Sequence, residues 1–214
     1  MIRSGLRLVG RSPRSAQEDR IAKDRALASG VKRGDRQAVA ALTRRCLPLV
    51  LGLASRTLRD AVEAEDVAQE TFLKVWRRID RYDPARARLE SWVARIALNQ
   101  CYDRLRRRGE DLQGEAPPER ADPGAGAEAG LSARSGAARV REAVAGLPVR
   151  QRAALELCHF QDMSNIEAAA VMEISVEALE SLLSRGRRAL RSALSGEQAD
   201  LLAALAEAEE GERS

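Results

Sequence analysis

Residues 109–137 read GEDLQGEAPPERADPGAGAEAGLSARSGA, and no other stretch limits the fold as much. Six glycines, three prolines and only two large aliphatic residues leave nothing to bury, and the segment carries a net charge of −4. A chain of this composition stays a flexible linker instead of packing. The 214 residues are thereby divided into a larger block, 21–108, and a smaller one, 138–195. Residues 1–20 read as a mobile basic arm and residues 196–214 as an acidic tail.

Alanine, leucine and arginine dominate both blocks, with 38 alanines in the chain and no run that alternates as a strand would. The expected fold class is all-α: two small helical domains joined by the linker. No uninterrupted apolar run approaches the length of a bilayer span, so a cytoplasmic protein without membrane insertion is expected. Cys46, Cys101 and Cys158 are odd in number, far apart and without CxxC spacing, which argues against a disulfide framework or a zinc site. His159 is the single histidine, so no histidine-based catalytic or metal set can be assembled. The expectation is a protein without cofactor or metal, and not an enzyme. The net charge of +4 conceals a block of +9 over residues 21–108, where 20 basic residues face 11 acidic ones. A basic block on a helical protein points to a polyanion, with nucleic acid first.

In the larger block, Asp35 N-caps a helix with the apolar stripe Val39, Leu42, Cys46, Leu49, Val50 and Leu53, and Pro48 is placed to kink it. A second helix, about 64–79, has Val67, Phe72, Val75, Trp76 and Ile79 on its apolar side. Asp66, Gln69 and Glu70 stand at i, i+3 and i+4 on its other side, with Lys74 one turn on, and form one polar ridge. Such a ridge suits a basic helical protein partner. A loop, 80–89, carries Tyr82 and several arginines. The third helix, about 90–108, buries Trp92, Val93, Ile96, Ala97, Cys101 and Leu105. It turns Arg95, Asn99, Asp103, Arg106 and Arg107 outward. An asparagine can pair with a base edge, and arginines can hold phosphates. Tyr82 either stacks a splayed base or plugs its own loop. Cys46 and Cys101 fall on apolar faces and read as packed thiols.

In the smaller block, helices are expected over 139–145 and 149–159, the second ending at His159. Ser164-Asn165-Ile166-Glu167 then fits a capping box. A short helix about 168–171, a turn at Met172-Glu173-Ile174 and a last helix capped by Ser175 follow. This is a helix-turn-helix pattern. The last helix puts Val176, Leu179, Leu182, Leu183 and Leu190 inward. It puts Glu177, Ala178, Glu180, Ser181, Ser184, Arg185, Arg187 and Arg188 outward, toward base edges and phosphates.

Four stretches, in this order, carry a family resemblance: Lys32–Asp35, Ala64–Trp76, Ser91–Asn99 continued by Asp103–Arg106, and Leu147–Leu190. Together they resemble the sigma-70 family of bacterial RNA polymerase sigma factors, in its small extracytoplasmic-function (ECF) group. The resemblance implies a region 2 domain over 21–108 that binds core polymerase and recognises and melts the −10 element. It also implies a region 4 domain over 138–195 that reads the −35 element. By this resemblance Asp66, Gln69, Glu70 and Lys74 meet core polymerase, through its beta-prime and beta subunits. Tyr82, Arg95, Asn99, Asp103, Arg106 and Arg107 meet −10 DNA. Glu177, Ala178, Ser181, Ser184, Arg185, Arg187 and Arg188 meet −35 DNA. An anti-sigma factor is the implied regulator, in the cytoplasm or holding the chain at the inner face of the membrane. Two departures stand out: Met172-Glu173 occupies a turn where the family more often has glycine, and Glu180 puts an acid on the reading helix. A helix-turn-helix regulator that is not a sigma subunit is the alternative. A nuclease or recombinase is disfavoured, because Asp66 and Glu70 lack a third metal ligand.

Overall fold

A computed structural model of the chain describes residues 13–109 and 136–211, with side chains described over 14–109 and 139–194. Residues 110–135 of the expected linker, the first twelve residues of the expected arm and the side chains of the acidic tail lie outside the described residues. Eight α-helices and no strand occur among those described: α1 Pro13–Lys32, α2 Arg36–Leu58, α3 Ala61–Arg78, α4 Leu89–Arg107, α5 Gly136–Ala145, α6 Val149–Leu155, α7 Asn165–Met172 and α8 Val176–Gly211. A 3-10 turn, Ile79–Arg81, extends α3, and a π-helical turn, Glu156–Phe160, extends α6.

The larger block is a bundle centred on α2, α3 and α4. Asp35 starts α2 by accepting the Gln37 amide at 2.8 Å, and Asp60 starts α3 by accepting the Glu63 amide at 3.0 Å. α2 buries Leu42, Cys46, Leu49, Val50 and Leu53, α3 buries Val67, Phe72 and Val75, and α4 buries Val93, Ala97, Leu98, Cys101 and Leu105. One buried polar pair crosses this core, Gln100 Nε2 donating to Thr71 Oγ1 at 2.7 Å. α2 is long and apolar enough to cross a membrane by length and composition. Its apolar face is spent on its neighbours, and Arg44, Arg45 and Arg56 stand along it, so it is the core helix of the bundle.

Two expectations need correction. The arm expected over 1–20 is helical from Pro13, because α1 packs on α2: Val31 is buried, and a Cβ at Gly30 would stand 2.6 Å from the Ala38 Cβ. Gly34, at φ +75°, makes the turn between the two helices. Trp76, placed on the apolar stripe of α3, is 39% exposed, its ring 6.3 Å from that of Phe72. The backbone of the expected C-terminal tail continues α8 as far as Gly211.

The two blocks also pack on each other. Buried residues from both form one continuous core, α6 against α2 and α7 against α4. Buried Arg152 of α6 donates to the carbonyls of Ala145 (2.6 Å), Leu147 (3.1 Å) and, on α2, Thr57 (3.0 Å). Arg56 of α2 reaches Glu156 at 2.9 Å, and its guanidinium lies 4.4 Å from the ring centre of Phe160.

Candidate nucleic-acid interface

The polar ridge of α3 forms as its spacing predicts. Asp66, Gln69 and Glu70 are exposed, and Lys74 is half-buried. Arg104 of α4 spans the two acids, 2.8 Å from Glu70 Oε1 and 3.8 Å from Asp66 Oδ2. Exposed Leu73 and Trp76 stand on the same helix, three and six residues beyond Glu70. The outer side of α3 is thus acidic and apolar together, a combination suited to a protein partner. Periodicity alone had put Trp76 inward; an aromatic three residues after Leu73 on a polar helix was the available signal for an outward position.

On α4, Arg95, Asn99, Arg106 and Arg107 are exposed, and Asp103 is half-buried and ion-paired with Arg106. The Asn99 side chain is exposed, one turn from Arg95. Arg95 is ion-paired with Glu173, which lies in the turn between α7 and α8. Arg88, just before α4, lies 3.8 Å from Glu167 of α7. The smaller block therefore leans on the first half of α4 through these ion pairs, while Arg106 and Arg107 near its end stay exposed.

Tyr82 takes the plug position of its two open readings, and its assignment as a base-stacking residue is corrected. It is buried, with its ring 5.4 Å from that of Trp92. Its hydroxyl lies 3.1 Å from both Asp24 Oδ2 and the Ala87 carbonyl oxygen. Burial, then the charge of Asp24, raises its pKa well above that of a free phenol. The aromatic face cannot meet a base in this conformation.

The helix-turn-helix is built by its caps. Ser164 and Glu167 form the capping box, and Ser175 Oγ accepts the Ala178 amide at 3.1 Å. Glu173 ends α7 at φ +55°, the left-handed region that the missing glycine would adopt at lower cost. Glu177, Ala178, Ser181, Ser184, Arg185, Arg187 and Arg188 are all exposed along one side of α8. Glu180, the unexpected acid on that side, accepts Asn165 Nδ2 at 3.3 Å and so ties α8 to the start of α7. The carboxyl of Glu177 is held below its ordinary pKa by its own backbone amide and by Ser175. The arrangement gives a helix with small polar residues toward one end and three arginines toward the other, in reach of a groove and its phosphates.

Where the blocks meet, a groove of about 1010 Å³ is lined by Leu51, Val140, Val144, Phe160, Arg56 and Arg59, among others. Val140 and Phe160 are exposed in it. Cys46 and Cys101 take no part in these surfaces: both are buried, and burial pushes their thiols up to about 12. Among the described residues no group of three His, Cys, Asp or Glu side chains could hold a metal ion.

Comparison with known proteins agrees with this geometry. Residues 42–110 match the family model described as Sigma-70 region 2, and residues 137–190 match Sigma-70, region 4. The RNA polymerase sigma-H factor of Pseudomonas aeruginosa is 32% identical over 191 residues, 80% of this chain and 94% of that protein. The ECF RNA polymerase sigma factor SigW of Bacillus subtilis is 28% identical over 174 residues, 77% of this chain and 92% of that protein. A solved structure of CnrH in complex with the cytosolic domain of CnrY superposes with a TM-score of 0.58 at 27% identity, covering 81% of this chain and 97% of that one. Two matched regions in order, an all-helical fold that superposes, and two exposed basic faces lead to one assignment: the chain belongs to the sigma-70 family of RNA polymerase sigma factors, in its extracytoplasmic-function group.

Proposed function

We propose that the chain binds core RNA polymerase through α3, reads and melts the −10 element with α4 and the loop before it, and reads the −35 element with α8. The observation that carries this is the exposure of all three faces at once. Asp66, Gln69, Glu70, Leu73 and Trp76 are outward on α3, Asn99, Arg106 and Arg107 on α4, and Ser181, Ser184, Arg185, Arg187 and Arg188 on α8. Asn99 supplies the base-reading amide, and Arg95, Arg106 and Arg107 the phosphate contacts. Arg104 neutralises part of the α3 ridge, so a basic polymerase surface competes with a side chain already at hand.

The pairing of Arg95 with Glu173 gives the present arrangement a closed character. The turn of the −35 reader sits on the first half of the −10 reader. DNA phosphate at Arg95 displaces Glu173, and the two halves separate. A protein inhibitor that holds the halves together keeps the chain inactive. The apolar groove at their junction, with Val140, Phe160 and two arginines, suits an amphipathic helix with acidic flanks. CnrH, which this chain resembles, was solved with the cytosolic domain of CnrY bound. The chain works in the cytoplasm, or at the inner face of the membrane where its inhibitor is anchored there.

The test is co-purification of core polymerase with the wild type and with the double variant Asp66→Lys, Glu70→Lys. The wild type retains all core subunits, and the variant loses them while keeping its helical circular dichroism. Equal retention by both would contradict the assignment of α3.

A further inference from the structure

The helix α1 lies ahead of the segment matched as region 2, and it holds a side chain that an ordinary helical packing does not require. Asp24 is fully buried. It accepts Arg20 Nη1 at 3.2 Å, Arg45 Nη1 at 2.7 Å and the Tyr82 hydroxyl at 3.1 Å. A buried carboxylate with three donors is satisfied, yet an apolar residue of similar size would serve stability about as well. What the carboxylate adds is fixed geometry, and that geometry is centred on the loop between α3 and α4.

The loop is held at several points by this one cluster. Tyr82 is held by Asp24. The Pro84 carbonyl accepts Arg20 Nη2 at 3.4 Å, and the Ala87 carbonyl lies 3.1 Å from the Tyr82 hydroxyl. Arg45 carries the network on to Glu90 in the first turn of α4 at 2.6 Å. Asp83 closes the loop from within, its Oδ1 accepting the Ala85 amide at 3.0 Å and its carbonyl the Arg86 amide at 3.1 Å. Tyr82 and Pro84 are thereby turned inward, while Arg81, Asp83, Ala85 and Arg86 face solvent. A loop whose shape is set in advance loses less conformational freedom when it takes a ligand.

We propose that Asp24 is a positioning residue for −10 recognition: acting through Tyr82 and Arg20, it sets the shape of the 82–88 loop that receives a splayed base of the melted strand. The proposal rests on the reading of α4 and its loop as the −10 reader. It assigns Tyr82 a role through its hydroxyl and not through its ring.

The experiment uses holoenzyme assembled from core polymerase and the full chain. The probe is a fork template with a single-stranded −10 segment, carried through every single-base change. Tyr82→Phe removes the hydroxyl and leaves the ring against Trp92; Asp24→Asn removes the charge and keeps the shape. Both variants are expected to lose base preference at one −10 position by on the order of tenfold to a hundredfold, the worth of one hydrogen bond to a charged group. Binding of a −35 duplex and retention of core polymerase are expected to stay at the wild-type level. A base-preference profile in Tyr82→Phe and Asp24→Asn parallel to the wild type would overturn the proposal alone. So would a loss shared equally by −35 binding, which marks a merely structural role. A wild-type holoenzyme without preference at any −10 position would overturn the −10 reading itself, and this proposal with it.

Discussion

Arg56→Ala is the perturbation that reports most directly on how the two halves are held together. Arg56 lies 2.9 Å from a fully buried Glu156, whose same oxygen accepts Gln161 Nε2 at 2.9 Å. Burial is the largest influence on Glu156 and lifts its carboxyl above the ordinary value, outweighing the hydrogen bond from Gln161 and the charge of Arg56. Breaking a buried pair costs about 3–5 kcal/mol. The Arg56 side chain is 38% exposed, so solvent screens the pair and about 1–2 kcal/mol is the expected share. The lost contact with the Phe160 ring adds roughly 0.5 kcal/mol. The melting midpoint should fall by roughly 4–8 °C for a chain of this size. The double replacement Arg56→Met with Glu156→Leu removes both charges and should recover most of the loss. The pH dependence has a definite sign. A carboxyl raised in the folded state contributes stability fully below its unfolded pKa and loses it as pH rises through the folded value. Glu156→Gln should therefore abolish that loss and be at least as stable as the wild type at neutral pH. Thermal melts by circular dichroism measure all four proteins. Equal midpoints for the wild type and Arg56→Ala would refute the reasoning, as would a double variant less stable than the single one.

Asn99→Ala should cost about 1–3 kcal/mol of discrimination at one −10 position with little change in melting, measured by transcription across single-base template changes. Arg106→Ala and Arg107→Ala should weaken DNA binding evenly across sequences and reduce its salt slope, read by titration at several salt concentrations. Cys46 and Cys101 should resist alkylation in the folded chain at mildly alkaline pH. Their thiols are raised from 9.0 to about 12, so the stability they lend is full below 9.0 and declines as pH rises toward 12. Replacing residues 109–137 by a Gly/Ser stretch of equal length should preserve transcription, and shortening it to about ten residues should abolish it, because the second promoter contact is then out of reach.

The helices with strong local signals were legible in the sequence. Asp35 and the Ser164–Glu167 box cap where their spacing says, and the apolar stripes of α2 and α4 are buried almost residue for residue. The helix-turn-helix followed from its caps and its leucines. What was not legible depends on partners far apart in the chain. α1 has a weak apolar stripe, and it is anchored by Asp24 to Arg45 and Tyr82, 21 and 58 residues away. Tyr82 could not be assigned to plug or stack without that carboxylate. The junction of the two blocks rests on Arg152 donating to carbonyls and on a π-helical turn that buries Glu156, neither of which has a sequence period. Glu180 looked opposed to DNA because its partner, Asn165, sits on another helix.

The central claim is that this chain gives core RNA polymerase the ability to start at particular promoters. The direct measurement is transcription from genomic DNA fragments by purified core polymerase, with and without the full chain, with the 5′ ends of the transcripts mapped. The account predicts discrete start sites that require the chain and share two upstream sequence elements, with Asn99→Ala relaxing one position of the −10 element. Start sites that do not change when the chain is added, or that share no upstream element, would contradict it.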